Sequence, residues 1–277
     1  MTFFSSDLAK ARSYLFVPGD RPERFQNAFG SGSDAVILDL EDAVATDRKA
    51  VARDAIGDFL TPGCGAIVRI NALDTEWAAA DLALCSHPGV AAVMLPKAHN
   101  ADEIATIATQ IGRDVPVLAL IETAEGMANL HAVSRASAVC RLVFGSLDFQ
   151  LDLGIDGDDI ELLHFRSMLV LASRCADLPA PCDGVTTSIH DDNVILNDTR
   201  RAQRLGFGAK LCIHPRQVPL VNRALTPSPE ACAWATRVLD ASAGHSGSAV
   251  AVDGKMVDRP VLVRARKILD AASFEPK

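Results

Sequence analysis

The sequence lacks the signatures of several common protein classes. Its seven cysteines are scattered along 277 residues with no C-x-x-C pair, so neither a zinc ribbon nor a disulfide framework is indicated. No apolar run approaches the length of a bilayer span. The formal net charge of -8 disfavours general binding to nucleic acid or to an anionic membrane. No dinucleotide-binding or P-loop glycine motif follows a predicted strand, so both classes lose their main signature.

The composition favours a soluble protein with a substantial core. Hydrophobic residues make up 49% of the chain, and the length alone does not decide between one large domain and two ordinary ones. Asp7, Lys10 and Arg12 lie where a signal peptide would need an uninterrupted apolar segment. We therefore expect a cytoplasmic protein with reduced thiols.

Apolar runs of strand length alternate with segments of helical periodicity. The predicted strands are 13–19, 35–42, 66–71, 92–97, 117–123, 141–148, 182–187 and 209–215. The predicted helices between them are 22–31, 46–60, 75–86, 101–112, 124–136, 159–176 and 191–205. Strict alternation predicts parallel strands with crossover helices. Eight such units favour an α/β fold of the closed (β/α)8 TIM barrel type over an open doubly wound sheet.

The alternation stops after Pro215. The sequence predicts a break at 226–230, a helix at 231–242, a flexible stretch at 244–248, a hairpin at 249–257 and a closing helix at 259–272. Asp253 and Gly254 at the centre of the hairpin are typical turn residues. We predict a barrel domain at 1–225 and, at 226–277, a helical and hairpin extension that acts as a lid or an oligomerisation arm.

Polar residues follow the apolar runs at the carboxyl ends of the predicted strands. Two successive runs lead into Glu122 and Asp148, whose oxygens are ligands suited to Mg²⁺ or Mn²⁺. Glu122 is a poor helix cap, which favours a functional role. The carboxyl ends of the strands form the catalytic face of a (β/α)8 barrel. The polar residues predicted there are Glu41, Asp42, Arg69, Asn71, Lys97, Glu122, Asp148 and His214.

Simpler structural roles remain open for several of these residues. Asp42 and Asp148 are each typical helix N-caps when considered alone. Arg69 lies inside a predicted strand, and a buried arginine needs a carboxylate partner such as Glu41. Lys97 could extend to solvent.

Eight short segments, in order along nearly the whole chain, carry a family resemblance. They are RSYLFVPG at 12–19, DAVILDLEDAV at 34–44, VRIN at 68–71, LPK at 95–97, IET at 121–123, FGSLD at 144–148, IHPRQV at 213–218 and GKMVD at 254–258. Together they resemble the citrate lyase β-subunit-like proteins of the HpcH/HpaI aldolase superfamily. The resemblance implies a Mg²⁺-dependent carbon–carbon lyase of (β/α)8 fold, usually homotrimeric, that acts on 3-hydroxyacyl thioesters.

The resemblance also implies roles for individual residues. Glu122 and Asp148 would be the direct ligands of Mg²⁺, with Mn²⁺ as a substitute, and Glu41 and Asp42 would hold water bound to the metal. Arg69 would face the thioester oxygen of the substrate. Asp258, on a tail delivered by a neighbouring subunit, would transfer the proton. Lys97 is a candidate for a contact to substrate or CoA, and Arg12, Arg21 and Arg24, as basic residues near the first predicted strand, are candidates for contacts to the CoA phosphates.

Two segments depart from the pattern of the true citrate lyase β subunit, which tends to carry an arginine soon after the metal aspartate and Asn-Pro-Arg-Gln near the last strand. This chain has DFQLD at 148–152 and HPRQ at 214–217. We therefore expect a stand-alone enzyme that cleaves (3S)-citramalyl-CoA to acetyl-CoA and pyruvate, or malyl-CoA to acetyl-CoA and glyoxylate. The alternatives are a citrate lyase β subunit acting on an acyl-carrier-protein thioester within a complex, and a malyl-CoA thioesterase.

Overall fold

Eight parallel strands form a closed barrel in sequence order in the computed structural model, which describes residues 5–243 and 250–274. The strands are β1 (Ser13–Pro18), β2 (Ala35–Asp39), β3 (Ala66–Arg69), β4 (Val90–Leu95), β5 (Val117–Ile121), β6 (Val139–Phe144), β7 (Cys182–Asp183) and β8 (Ala209–Cys212). The barrel closes where β1 pairs with β8, with Tyr14 opposite Leu211. The predicted (β/α)8 fold is confirmed.

Helices follow the strands around the barrel and continue beyond it. They are α1 (Ser5–Lys10), α2 (Phe25–Phe29), α3 (Lys49–Phe59), α4 (Ala78–Leu84), α5 (Ala101–Ile111), α6 (Ala124–Ala128), α7 (Leu130–Val133), α8 (Ser146–Leu153), α9 (Ile160–Cys175), α10 (Asp192–Leu205), α11 (Val218–Leu225), α12 (Pro229–Ala243) and α13 (Arg259–Ala272). Short 3-10 helices cover Pro22–Arg24, Thr46–Arg48 and Pro215–Gln217. Within the described ranges, no helix is both long enough and apolar enough to span a bilayer.

Helix α5 illustrates how local sequence sets these elements. The Asn100 side chain accepts hydrogen bonds from the backbone N–H groups of Asp102 and Glu103, which caps the helix start. Ile104 and Ile107, spaced for one helical face, are buried against the core. Gly112 ends the helix with a φ of 76°, a left-handed conformation that glycine adopts without a steric penalty.

The amino end of the barrel is closed by α1, which the sequence analysis did not predict. The Tyr14 hydroxyl donates a hydrogen bond to the Leu8 carbonyl at 2.7 Å. The buried Arg141 guanidinium donates to the carbonyls of Leu8 and Ala11 at 3.0 and 2.8 Å. These bonds satisfy the carbonyls at the end of a short helix and fix α1 to the barrel.

Several predicted elements differ from those observed, and three of the differences bear on the carboxyl end of the barrel. The predicted strand 141–148 ends at Phe144, and Asp148 lies in α8. Leu147 continued the apolar pattern in sequence, but its side chain is exposed on the helix. The predicted strand 182–187 is only the two residues of β7, and at the next residue, Gly184, an added Cβ would clash with Ser146 Oγ. The predicted helix 124–136 is divided into α6 and α7.

The chain divides into two compact units between Asn222 and Arg223. The boundary predicted between residues 225 and 226 lies at the end of α11. In the second unit, α12 and α13 pack around buried Ala235, Val238 and Ala265.

An antiparallel hairpin of β9 (Val250–Val252) and β10 (Lys255–Val257) completes the second unit. Asp253 and Gly254 at its turn have φ values of 51° and 73°, as a type I′ turn requires. The hairpin is thus confirmed for residues 250–257. The predicted flexible stretch 244–248 and Ala249 lie outside the described residues.

Candidate functional site

Charged side chains meet inside the carboxyl end of the barrel. Strand residues alternate between the barrel interior and its helical shell. With this alternation, the side chains of Asp39 and Glu41 at the end of β2 point into the barrel. The side chains of Arg69 on β3 and Glu122 after β5 also point into the barrel. All four are at least nine-tenths buried. Charged residues at this depth need partners.

The guanidinium of Arg69 is held in a fork by Asp39. Nε donates to Asp39 Oδ1 at 2.7 Å, and Nη2 donates to Oδ2 at 2.6 Å. Asp39 is fixed in turn by the backbone N–H groups of Glu41 and Ala43. Burial alone would lower the pKa of Arg69, but the charges of the neighbouring carboxylates, first that of Asp39, raise it on balance. Arg69 therefore carries a fixed positive charge at the barrel mouth.

The third nitrogen of that guanidinium faces Glu41. Arg69 Nη1 lies 2.9 Å from Glu41 Oε2, an ion pair without hydrogen-bond alignment, since this oxygen has no hydrogen-bond donor within the described residues. The ring of Phe16 covers the guanidinium, with its centroid 4.7 Å from Cζ. The expected pair with Glu41 is present, but Asp39 is the main partner. Asp39 was missed, although it is two residues before Glu41 and so shares its face of the strand.

Glu41 is also bound by Lys97. The Lys97 ammonium donates to Glu41 Oε1 at 2.7 Å. Burial raises the pKa of Glu41 by more than Arg69 and Lys97 lower it. Partial burial would lower the pKa of Lys97, but the hydrogen bond that its ammonium donates to Glu41, together with the charge of that carboxylate, raises the pKa on balance. Lys97 is therefore a cation at neutral pH.

Glu122 is held in place from two sides. Its Oε1 accepts a hydrogen bond from the Lys97 backbone N–H at 2.9 Å. Its carboxylate packs on Gly145, where an added Cβ would lie 2.5 Å from both Cβ and Oε2 of Glu122. Burial, followed by the negative charges of Glu41 and Asp148, raises the pKa of Glu122 to about 8. A buried carboxylate with this excess of negative charge is suited to a cation.

Asp148 lies in the first turn of α8 and is exposed. Its charge contributes to the raised pKa of Glu122, so the two carboxylates interact as expected. Carboxylate oxygens fit Mg²⁺ or Mn²⁺, and two protein ligands leave coordination positions for water and substrate. In the described part of the chain, no group of three or more His, Cys, Asp or Glu side chains is placed to bind a metal ion.

The remaining predicted residues are placed differently. Asp42 is exposed next to Glu41, whose pKa it raises. Arg12 precedes β1 and therefore lies at the amino end of the barrel, away from Glu122, where Asp34 binds its guanidinium through Nε at 2.8 Å and Nη2 at 3.0 Å. The structure thus does not bring Arg12 to the site, and we drop it as a CoA ligand. Asp258 belongs to the second unit, where its side chain caps α13 through the Val261 N–H.

Two cavities open at this end of the barrel. The smaller, about 370 Å³, is lined by Glu41, Asp42, Lys49, Asn71 and Lys97 among others. The larger, about 1160 Å³, extends from Lys97 along α4 and α5. Lys97 lines both, so it stands where they meet. The smaller volume is in the range of small-molecule and cofactor sites, and the larger one slightly exceeds it.

Comparisons with known proteins identify relatives similar over nearly the whole chain. The chain is 39% identical over 271 residues to a citrate lyase subunit beta-like protein of Mycobacterium tuberculosis, covering 95% of this chain and 96% of the relative. It is 34% identical over 270 residues to a (3S)-malyl-CoA thioesterase of Cereibacter sphaeroides, covering 94% of both. The crystal structure of M. tuberculosis CitE in complex with magnesium, acetoacetate and coenzyme A is similar with a TM-score of 0.85 and 37% identity, covering 96% of this chain and 100% of CitE.

The match to a family model covers most of the barrel. Residues 12–215 match the model described as HpcH/HpaI aldolase/citrate lyase. This range contains Arg69, Glu122 and Asp148. The chain therefore belongs to the HpcH/HpaI aldolase/citrate lyase family.

Proposed function

We propose that this protein is a Mg²⁺-dependent carbon–carbon lyase that cleaves a 3-hydroxyacyl-CoA thioester. One observation supports the proposal above all: three charged side chains lie together at one end of the barrel. They are the buried carboxylate of Glu122, its exposed neighbour Asp148 and the fixed cation of Arg69. The CitE protein of M. tuberculosis has been crystallised with magnesium and pyruvate and with magnesium, acetoacetate and coenzyme A. These ligands support a 2-oxo acid and acetyl-CoA as products here.

Glu122 and Asp148 would hold the cation. When bound, Mg²⁺ supplies Lewis-acid chemistry and a template for the carboxylate and hydroxyl oxygens of the substrate. Arg69 Nη1, the nitrogen not used in the fork with Asp39, would donate to the thioester oxygen as negative charge develops there. The loss of one such donor typically costs on the order of 10²–10³ in rate. Exposed Asp42, with Glu41, would hold water at the cation.

The cleavage transfers one proton within the substrate. The 3-hydroxyl group loses its proton and becomes a carbonyl, the adjacent carbon–carbon bond breaks, and its electron pair forms the enolate of acetyl-CoA. Protonation of the enolate carbon completes the reaction. We assign this proton transfer to Asp258, delivered by a neighbouring copy of the chain in a homotrimer. A mobile carboxyl group can exchange protons with the substrate after the site closes.

(3S)-Citramalyl-CoA is our first choice of substrate and malyl-CoA the second. The two differ by one methyl group, which a pocket discriminates by only about 1–3 kcal/mol. Arg21 and Arg24, which follow β1 and are exposed, remain candidates for the CoA phosphates. A cytoplasmic location is part of the proposal.

Two further functions have specific support. The malyl-CoA thioesterase relative favours hydrolysis of the thioester. A citrate lyase subunit beta of Leuconostoc mesenteroides, 32% identical over 282 residues, favours action on an acyl-carrier-protein thioester within a complex.

A paired assay tests these functions. Citramalyl-CoA and malyl-CoA are each incubated with Mg²⁺ or with EDTA, and 2-oxo acid and free thiol are followed together. The proposal predicts Mg²⁺-dependent 2-oxo acid without free thiol, formed faster from citramalyl-CoA. Release of free thiol would instead identify a thioesterase. Inactivity on both CoA thioesters, together with activity on the carrier-protein thioester, would support the citrate lyase subunit.

A further inference from the structure

Lys97 contacts two acidic residues of the candidate site through two different parts of its own structure. Its ammonium Nζ lies 2.7 Å from Glu41 Oε1, and its backbone N–H donates to Glu122 Oε1 at 2.9 Å. Glu41 in turn faces Arg69 Nη1 at 2.9 Å. Lys97 therefore links Glu122, the proposed cation ligand, to Glu41 and through Glu41 to Arg69.

The backbone of Lys97 is in the left-handed region, with a φ of 50°, which residues other than glycine adopt only rarely. The chain rejoins the barrel immediately afterwards, because the Ala98 N–H donates to the Leu120 carbonyl at 3.1 Å. The left-handed turn thus directs one N–H away from the strand ladder and toward Glu122. Strained conformations of this kind concentrate at functional sites, where the surrounding structure maintains them.

We propose that Lys97 is a positioning residue for the reaction: its left-handed amide fixes Glu122 for cation binding, and its ammonium fixes Glu41 and through it Arg69. This role takes the place of the direct contact to substrate or CoA that the sequence suggested, because Glu41 engages the ammonium. The kinetic part of the inference rests on the proposed lyase activity, whereas the part that concerns cation binding rests only on the proposed metal site at Glu122.

A matched pair of variants separates the two contacts. Lys97→Asn and Lys97→Val both remove the ammonium and keep the backbone N–H. Asparagine adopts the left-handed conformation readily, whereas β-branched valine is an outlier there. Lys10→Met is the control, since Lys10 is an exposed lysine on α1 at the other end of the barrel. Thermal denaturation verifies folding, and Lys97→Thr replaces the valine variant if that variant does not fold.

Mn²⁺ binding, followed by electron paramagnetic resonance without substrate, tests the amide. We expect Lys97→Val to bind Mn²⁺ about tenfold more weakly than wild type and Lys97→Asn to stay within about threefold, since residues that orient a metal ligand typically contribute 10–100-fold. Equal affinities of the two variants would overturn the role of the amide.

Steady-state kinetics with citramalyl-CoA and Mg²⁺ test the ammonium. Both variants should lose about 10–100-fold in kcat with KM nearly unchanged, and Lys97→Arg should recover most of the loss. A raised KM with unchanged kcat would overturn this role, because that pattern belongs to a substrate-binding residue. If wild-type protein cleaves neither CoA thioester, the proposed function fails, whereas the Mn²⁺ comparison still decides the role of the amide.

Discussion

Replacing Gly145 by alanine should disable the site through a single methyl group. The added Cβ would lie 2.5 Å from Cβ and Oε2 of Glu122, and the Glu122 carboxylate would have to move by about 0.9 Å to reach the 3.4 Å of ordinary van der Waals contact. Gly145 has a φ of -87°, so alanine does not have to adopt the left-handed backbone that favours glycine. A displacement of about 1 Å at a reacting centre can cost on the order of 10² in rate.

Two measurements follow this variant. Gly145→Ala should bind Mn²⁺ at least about tenfold more weakly and lose on the order of 10² in kcat. The matched control is Gly57→Ala in α3, where the added Cβ would meet Leu84 Cδ1 at 3.5 Å. The control should keep full activity and gain about 0.5–1 kcal/mol of helix stability. Wild-type Mn²⁺ affinity and kcat in Gly145→Ala would refute the assignment of Glu122 as a metal ligand.

Three further substitutions test separate parts of the account. Glu122→Ala should abolish Mg²⁺-dependent turnover and weaken Mn²⁺ binding while circular dichroism stays unchanged; full activity would remove Glu122 from the site. Asp258→Asn should lower kcat with little change in Mn²⁺ affinity, since asparagine also caps a helix; a wild-type rate would leave Asp258 as a cap alone. Asp183→Asn should lower the free energy of unfolding at pH 7 by about 3–5 kcal/mol, because it leaves the buried cations of Arg166 and Lys210 without their shared carboxylate. Burial alone would raise the pKa of Asp183, but Lys210 and Arg166 lower it on balance. The stability that ionised Asp183 contributes is therefore present above the unfolded pKa near 3.8 and is lost as the pH falls below it. Urea denaturation should show the difference in unfolding free energy between wild type and Asp183→Asn shrinking as the pH falls below about 4, and a constant difference would contradict this assignment.

The barrel could be predicted because its signal is repeated. Eight apolar runs alternate with helical segments, and one misjudged boundary does not change the topology. The end of β6 was misjudged because Leu147 continues the apolar pattern, and sequence does not show that its side chain is exposed. Helix α1 is only six residues long, and its closure of the barrel depends on Arg141, 130 or more residues away in sequence. Such long-range contacts leave no local signal.

The site could be predicted in part for similar reasons. The sequence predicted Glu122 at the carboxyl end of the barrel because an acid ends a strand, and it predicted Asp148 near Glu122 although the predicted local structure of Asp148 was wrong. Asp39 was missed because it lies inside an apolar run, where its fork with Arg69 cannot be seen. Lysine has no special preference for left-handed backbone, so nothing in the sequence indicated the Lys97 conformation.

Gly145 and Arg12 show two other limits of local patterns. A glycine after a strand suggests only a turn, and the close approach of Glu122 depends on the pairing of β5 with β6. Arg12 was considered for its charge and its nearness to β1. However, a residue that precedes a barrel strand lies at the amino end of the barrel, and a residue that follows the strand lies at the carboxyl end. Arg12 precedes β1, and this order could have excluded it.

In the proposed site, Glu122 and Asp148 bind a divalent cation next to Arg69. The most direct test is anomalous X-ray diffraction from crystals of the protein grown with Mn²⁺. We predict one strong anomalous peak at the carboxyl end of the barrel, within about 2.3 Å of carboxylate oxygens of both residues, and its loss in Glu122→Ala. A Mn²⁺ peak bound by other residues, or a peak that persists in Glu122→Ala, would show that Glu122 and Asp148 are not the metal ligands.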